Sequence, residues 1–111
     1  MRNIEHFIDG HRVVGASRRH GVVFDPDTGP VQARVALAAA GELDRAVDSA
    51  VAAQEVWARV NPQRRARVMF EFKRLLEAHM DELAQLLSSE HGKVIADARG
   101  DIQRGLEVIE F

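Results

Sequence analysis

The spacing of apolar and polar residues divides this chain into a strand-like first part and a helical remainder. Over residues 4–14, short apolar runs stand on either side of Asp9-Gly10, a dipeptide that accepts the positive φ values of a type I′ turn. This pattern predicts a β-hairpin. Residues 15–20 are mostly polar and are expected to form a loop.

A second hairpin is predicted over residues 22–37. Its turn contains Pro26, which fixes φ, and Gly29, which supplies a permissive backbone. The returning segment alternates between two sets of residues: Val31, Ala33, Val35 and Leu37 on one side, and Gln32, Arg34 and Ala36 on the other. Such alternation is typical of a half-buried strand.

The remainder of the chain has apolar residues at helical spacing and predicts three helices. The first is expected to be capped by Gly41, with Glu42 in its first turn, where an acid suits the helix dipole. The second begins with Asn61 as N-cap and Pro62 as its first residue. A helix restart at Asp81 is possible, so a break in the second helix stays open.

Gly92 fits the residue that ends the second helix, and the third is expected to begin near Val94. The apolar stripe of the third helix consists of Ile95, Ala98, Ile102, Leu106 and Ile109. This stripe is still running at Phe111, where no stop residue follows. We therefore expect a chain cut inside a larger fold, although a natural C-terminal helix that frays into water is the alternative.

Composition excludes several classes of protein. The net charge of −2 gives no field that would collect nucleic acid, and no apolar run approaches the roughly 20 residues of a membrane span. The N-terminal residues do not resemble a secretory signal, so a cytoplasmic protein is expected. The chain has no cysteine, which excludes a thiol nucleophile, and its five histidines form no metal-ligand pair, so no metal site is expected.

Two motifs resemble functional sites, but the residues around them do not support a functional role. Gly92-Lys93 lacks the upstream glycine and the following hydroxyl residue of a phosphate loop, and no Gly-x-Gly-x-x-Gly fingerprint occurs. We favour a structural turn, in which the positive charge of Lys93 lies near the negative end of a helix dipole. The arginines of Arg64-Arg65-x-Arg67 are expected to form structural ion pairs, because acids are interspersed along the same helix.

The order of these elements resembles the front part of the aldehyde dehydrogenase superfamily. The amino-acid sequence is most similar to the CoA-acylating branch of this superfamily, the methylmalonate-semialdehyde dehydrogenases. Two segments carry this similarity: Arg64-Arg65-Ala66-Arg67-Val68-Met69-Phe70 and Gly100-Asp101-Ile102-Gln103-Arg104-Gly105-Leu106-Glu107-Val108-Ile109-Glu110-Phe111. The resemblance implies an α+β chain of two N-terminal β-hairpins and three helices, forming the front portion of the larger α/β fold. Residues 1–40 would supply the hairpins, and residues 41–111 would supply helices that pack on the cofactor-binding domain.

The resemblance also implies a function. The complete enzyme would oxidise malonate or methylmalonate semialdehyde to acetyl-CoA or propionyl-CoA, using NAD and CoA. The nucleophilic cysteine and the nicotinamide-binding loop of the family would lie beyond Phe111, so residues 1–111 hold no catalytic residue, bind no cofactor alone and are expected to be inactive. The expected partner is the remainder of the dehydrogenase chain, with self-association through uncovered helix faces.

Arg104 is the one candidate substrate-binding residue. It lies between Gly100 and Gly105, which leave room for a ligand, and by resemblance it contributes to the pocket for the carboxylate of the semialdehyde. A guanidinium suits this role because it offers two parallel donors to two oxygens. The alternative is an exposed helix arginine that pairs with Asp101 or Glu107.

Two other functions stay open from the sequence. The chain could belong to an aldehyde dehydrogenase that does not use CoA. It could also be a stand-alone helical interaction module that assembles through the apolar stripes of its helices.

Overall fold

The computed structural model describes residues 1–111, which form five strands and four helices. The elements are β1 (Arg2–Ile4), β2 (His6–Ile8), β3 (His11–Val13), β4 (His20–Phe24), β5 (Val31–Ala36), α1 (Ala40–Trp57), α2 (Pro62–Ala78), α3 (Met80–His91) and α4 (Ile95–Glu110). They divide into two compact units. One contains Met1–Phe24 with Gly29–Arg59, and the other contains Asp25–Thr28 with Val60–Phe111. The mixed α+β class predicted from the sequence is confirmed.

The first unit contains two sheets. In the three-stranded sheet, β5 lies between β1, which is parallel to it, and β4, which is antiparallel. β2 and β3 form a separate antiparallel pair. The assignment of Ile4 to the first hairpin was therefore wrong: Ile4 ends β1 and pairs with Val35 across a long stretch of chain.

Both predicted hairpins are present. Asp9 and Gly10 have φ values of 54° and 74°, the positive values that a type I′ turn requires. In the second hairpin, Oδ1 of Asp25 accepts hydrogen bonds from the backbone N–H groups of Asp27 at 2.9 Å and Thr28 at 3.0 Å. The predicted loop is shorter than expected, because β4 already begins at His20.

The simple alternation predicted for β5 was wrong. Ala33 and Ala36 are both buried, although they were expected on opposite faces, and Leu37 lies after the end of the strand. The reason is a close approach by the segment after β3. A Cβ atom on Gly15 would lie 2.8 Å from Cβ of Ala36, so this backbone covers the second face of the strand.

Helix α1 begins two residues earlier than predicted. Its N-cap is Ala39 rather than Gly41, and Glu42 takes the third helical position. There the Glu42 carboxylate accepts a hydrogen bond from the backbone N–H of Ala39 at 2.7 Å, as in the returning half of a capping box. The apolar stripe of α1 is largely exposed, with Leu43 at 63%, Val47 at 51% and Val51 at 54%.

The structure contains four helices instead of the predicted three, because the second predicted helix breaks at His79. His79, with φ −108° and ψ 18°, ends α2 and also precedes the first residue of α3. The start of α2 is as predicted: Pro62 is its first residue, and the Asn61 side chain accepts a hydrogen bond from the backbone N–H of Gln63 at 2.8 Å.

The core of the second unit lies between α3 and α4. Ala84 from α3 and Ala98 and Leu106 from α4 are buried. As predicted, α3 ends at Gly92 in the left-handed conformation, with φ 83°. None of the four helices combines the length and the apolar content needed to cross a membrane.

Candidate functional site

The turn between α3 and α4 fixes the position of Lys93. Gly92 has positive φ, and a Cβ atom there would lie 3.2 Å from the Pro26 ring, so the position suits glycine. The hydroxyl of Ser88 donates a hydrogen bond to the carbonyl oxygen of Lys93 at 2.7 Å. Lys93 is thereby anchored immediately before Val94, the N-cap of α4.

Asp101 lies two turns into α4, and each of its two carboxylate oxygens contacts a different cation. Oδ2 accepts a hydrogen bond from Nζ of Lys93, and Oδ1 accepts one from Nη1 of Arg104 at 2.8 Å. The hydrogen bond from Lys93 lowers the pKa of Asp101 below its ordinary value, and the Arg104 guanidinium lowers it further. The carboxylate is therefore held in its charged form.

Arg104 remains mostly open to solvent, with its side chain 71% exposed. Only Nη1 of the guanidinium donates to a protein atom, and a guanidinium has five N–H donors. The neighbouring glycines leave the space expected from the sequence: a Cβ on Gly100 would lie 3.9 Å from Nη1, and one on Gly105 would meet nothing within 4 Å. Of the two acids proposed as partners, Asp101 binds Arg104. Its role toward a substrate carboxylate stays a prediction.

The two cations and one anion of this cluster, which we call the α4 ion triad (Lys93, Asp101 and Arg104), carry a formal net charge of +1. A cluster of this kind can attract a singly charged anion, and the free edge of the guanidinium can offer it parallel hydrogen bonds. Because Lys93 is only 21% exposed at its side chain while Arg104 is 71% exposed, the accessible cation is Arg104.

An apolar groove lies among α2, α3 and α4. One of its lining residues, Gly105, directly follows Arg104 of the ion triad in the sequence. It has a volume of about 450 Å³ and is lined by Phe72, Leu76, Leu83, Leu87, Ile102, Gly105 and Ile109. No charged or polar side chain forms its wall. The groove therefore does not fit the phosphates of NAD or CoA, and we assign neither cofactor to it.

The other basic and imidazole groups do not assemble into a site. Nε of Arg65, at the start of α2, is buried without a hydrogen-bond partner. His6 lies near Glu42, with Nε2 at 3.7 Å from Oε1, and His79 contacts Glu82 at 3.0 Å. No group of three or more His, Asp or Glu side chains is arranged to hold a metal ion.

Two carboxylate contacts in the structure were not predicted from the sequence. Lys93 binds Asp101, and does not merely lie near the negative end of α3. The Lys93–Asp101 contact depends on the turn geometry at Gly92, which residue types alone do not specify. Glu42 is 5% exposed and binds the backbone of Ala16 as well as that of Ala39. The sequence signal for the contact between Glu42 and Ala39 was a glutamate three residues after a helix cap.

The chain matches the model of the aldehyde dehydrogenase family over residues 13–111, and it belongs to that family. Among curated relatives, it is similar to malonate-semialdehyde dehydrogenase 3 of Geobacillus kaustophilus, with 44% identity over 110 residues. That match covers 99% of this chain and 23% of the relative. The chain thus spans about a quarter of the length of the curated relatives it matches.

Solved structures give the same assignment. A methylmalonate-semialdehyde dehydrogenase from Sinorhizobium meliloti 1021, complexed with NAD, has 58% identity and a TM-score of 0.98, covering all of this chain and 23% of that chain. The methylmalonate-semialdehyde dehydrogenase of Oceanimonas doudoroffii has 42% identity and a TM-score of 0.95, covering 99% of this chain and 22% of the other. The resemblance predicted from the sequence is confirmed.

Proposed function

We propose that residues 1–111 form the N-terminal part of an NAD-dependent, CoA-acylating malonate- or methylmalonate-semialdehyde dehydrogenase. The observation that carries the proposal is the similarity over the full chain to dehydrogenases of this name, at 58% identity in one case. In the proposed reaction, malonate semialdehyde, NAD and CoA yield acetyl-CoA, carbon dioxide and NADH; the methylmalonate substrate yields propionyl-CoA. NAD accepts the hydride and CoA accepts the acyl group.

In this proposal residues 1–111 supply binding and packing surfaces but no reacting group. The helices of residues 41–111 pack on the cofactor-binding domain, and their exposed apolar residues, such as Leu43 and Val47, are consistent with that role. With no cysteine, the 111 residues have no thiol for a covalent step. We accordingly expect no NADH formation by this chain alone, and we place NAD and CoA binding in the remainder of the enzyme.

Arg104 is the proposed contact to the substrate carboxylate. Its guanidinium is accessible, it keeps four donors free of protein partners, and the small residues Gly100 and Gly105 adjoin it. A carboxylate could accept two parallel N–H bonds from the free edge. An uncharged aldehyde has no group to use this contact, so Arg104 would select acidic semialdehydes.

The exposed stripe of α1 supports a second candidate, a non-catalytic module that binds other helices. Leu43, Val47 and Val51 form an apolar strip at i, i+4 spacing with no partner inside the first unit. A dehydrogenase segment of the CoA-independent kind is the third candidate. These three are separated by transplanting the chain into a complete enzyme.

The experiment is a chimera in which residues 1–111 replace the corresponding segment of the Sinorhizobium meliloti dehydrogenase. The proposal expects NADH formation from malonate semialdehyde that depends on CoA, within about tenfold of the unmodified enzyme, since contacts made by similar segments are largely retained. The matched control carries the corresponding segment of an aldehyde dehydrogenase that does not use CoA. A folded tetramer or dimer of the chimera that lacks this activity, with the control equally active or better, would overturn the proposal.

A further inference from the structure

Asp101 links the Lys93 side chain, in the α3–α4 turn, to the Arg104 side chain. Asp101 touches Arg104 through Oδ1 and Lys93 through Oδ2, so the three groups form a linear chain of alternating charge. Lys93 does not touch Arg104 itself. Any effect of Lys93 on a ligand of Arg104 must therefore pass through Asp101 or through the electric field.

The charge balance of this chain matters for anion binding. An arginine paired with one carboxylate is close to neutral as a pair, and it attracts a second carboxylate weakly. The ammonium of Lys93 on the other oxygen offsets the charge of Asp101 and returns the cluster to a net charge of +1. Asp101 can then hold one edge of the guanidinium, through Nη1, without cancelling its attraction for an anion at the free edge.

We propose that Asp101 is a positioning residue that orients the Arg104 guanidinium, and that Lys93 offsets the charge of Asp101 so that Arg104 can bind the carboxylate of the substrate. This inference rests on the proposed function of Arg104. It adds two residues and a physical reason for them, because a second cation that compensates the orienting acid strengthens the attraction of Arg104 for a substrate carboxylate.

The anchoring and partial burial of Lys93 distinguish the triad from an ordinary surface ion pair. Lys93 is anchored by the Ser88 hydroxyl at its carbonyl and by the left-handed Gly92 before it, so its side chain starts from a fixed point. Its side chain is 21% exposed, which limits screening by solvent. The pKa of Asp101 is lowered chiefly by Lys93, in accord with a close ionic contact.

The test uses the active chimera that carries residues 1–111, with malonate semialdehyde and propanal as paired substrates. Lys93→Gln should raise KM for malonate semialdehyde about twofold to fivefold, because the ion triad loses one unit of positive charge. KM and kcat for propanal should stay unchanged. Lys93→Arg keeps the cation and should keep KM within about twofold of the parent value.

The double variant Lys93→Gln with Asp101→Asn gives the sharpest test. Removing both charges returns the cluster to a net charge of +1, and the amide oxygen of the asparagine can still accept a hydrogen bond from Arg104, so KM for malonate semialdehyde should recover part of the loss caused by Lys93→Gln alone. A merely structural role for Lys93 predicts the opposite: the double variant loses two anchors of α4 and is worse than either single variant, with both substrates.

Lys73→Gln is the matched control. Lys73 belongs to the same unit, is 24% exposed and binds Glu77 at 2.6 Å and Glu110 at 3.0 Å, so its loss removes the same charge from a comparable ion cluster. KM should not change. A selective effect of Arg104→Leu without one of Lys93→Gln would overturn this inference and leave the proposed role of Arg104 intact. Equal effects of Arg104→Leu on both substrates would overturn both this inference and the proposed role of Arg104.

Discussion

The backbone N–H of Ala16 donates a hydrogen bond of 2.7 Å to Oε1 of Glu42, across 26 residues of chain. The other oxygen of the same carboxylate accepts from the backbone N–H of Ala39, also at 2.7 Å. One buried side chain thus joins the segment after β3 to the start of α1. Glu42 satisfies two backbone donors that would otherwise lack partners, and this makes it a structural acid of the first unit.

Glu42→Gln should destabilise the chain. An amide keeps one acceptor oxygen, but its NH₂ group would face an N–H donor, so one of the two backbone groups would lose its partner. The expected result is a lower urea midpoint at pH 7 with an unchanged m-value. Glu55→Gln, at an exposed position of the same helix, removes the same charge and should leave the midpoint unchanged. Equal midpoints for the two variants would contradict this role.

The same carboxylate predicts a dependence of stability on pH. Hydrogen bonds from Ala39 and Ala16 lower the pKa of Glu42 below its ordinary value. Its stabilising contribution is therefore fully present above the unfolded pKa of about 4.3 and is lost as pH falls through the folded value. The difference in unfolding free energy between the parent chain and Glu42→Gln should shrink when urea titrations are repeated at decreasing pH below about 4. A difference that stays constant or grows would contradict the assignment.

Gly15→Ala should destabilise the first unit by about 1–3 kcal/mol, the usual cost of forcing extra volume into a packed region. The added Cβ would lie 2.8 Å from Cβ of Ala36, a buried residue of the central strand. Gly41→Ala is the control, since a Cβ there meets nothing within 4 Å and alanine favours the helix. Thermal unfolding should show a lower Tm for the first variant and an equal or higher Tm for the second.

The exposed stripe of α1 predicts self-association of the isolated chain. Leu43, Val47 and Val51 present apolar surface that a stable monomer would not leave open. Sedimentation at increasing concentration should show dimers or larger species, and Val47→Lys should shift the distribution toward monomer. Ala52→Lys introduces the same charge at another exposed position of α1 and should change it less. A clean monomer at high concentration would contradict the prediction.

The sequence predicted the features that depend on a few neighbouring residues. Asp9-Gly10, Asn61-Pro62 and Gly92 each carry a local conformational preference, and each acts as expected in the structure. Such preferences are properties of the residues themselves, so they can be read without knowledge of the fold.

Features that depend on distant contacts could not be predicted in the same way. The parallel pairing of Ile4 with Val35 has no local turn signal, because parallel strands are joined by long connections. The burial of Ala36 follows from the passage of Gly15 over it, and the Lys93–Asp101 contact follows from the path of the turn. Arg104 was singled out from its residue type and neighbours, whereas the two residues that accompany it required the structure.

Arg104→Leu in the active chimera tests whether this chain contributes a carboxylate-binding arginine to a semialdehyde dehydrogenase. KM for malonate semialdehyde should rise about tenfold to a hundredfold, since charge-assisted hydrogen bonds contribute about 1.5–3 kcal/mol. KM for propanal should change less than about twofold, and Arg104→Lys should recover only part of the loss, because an ammonium lacks the two-pronged contact. Equal changes in KM for the charged and the uncharged aldehyde would contradict the carboxylate-binding role and leave Arg104 as a surface partner of Asp101.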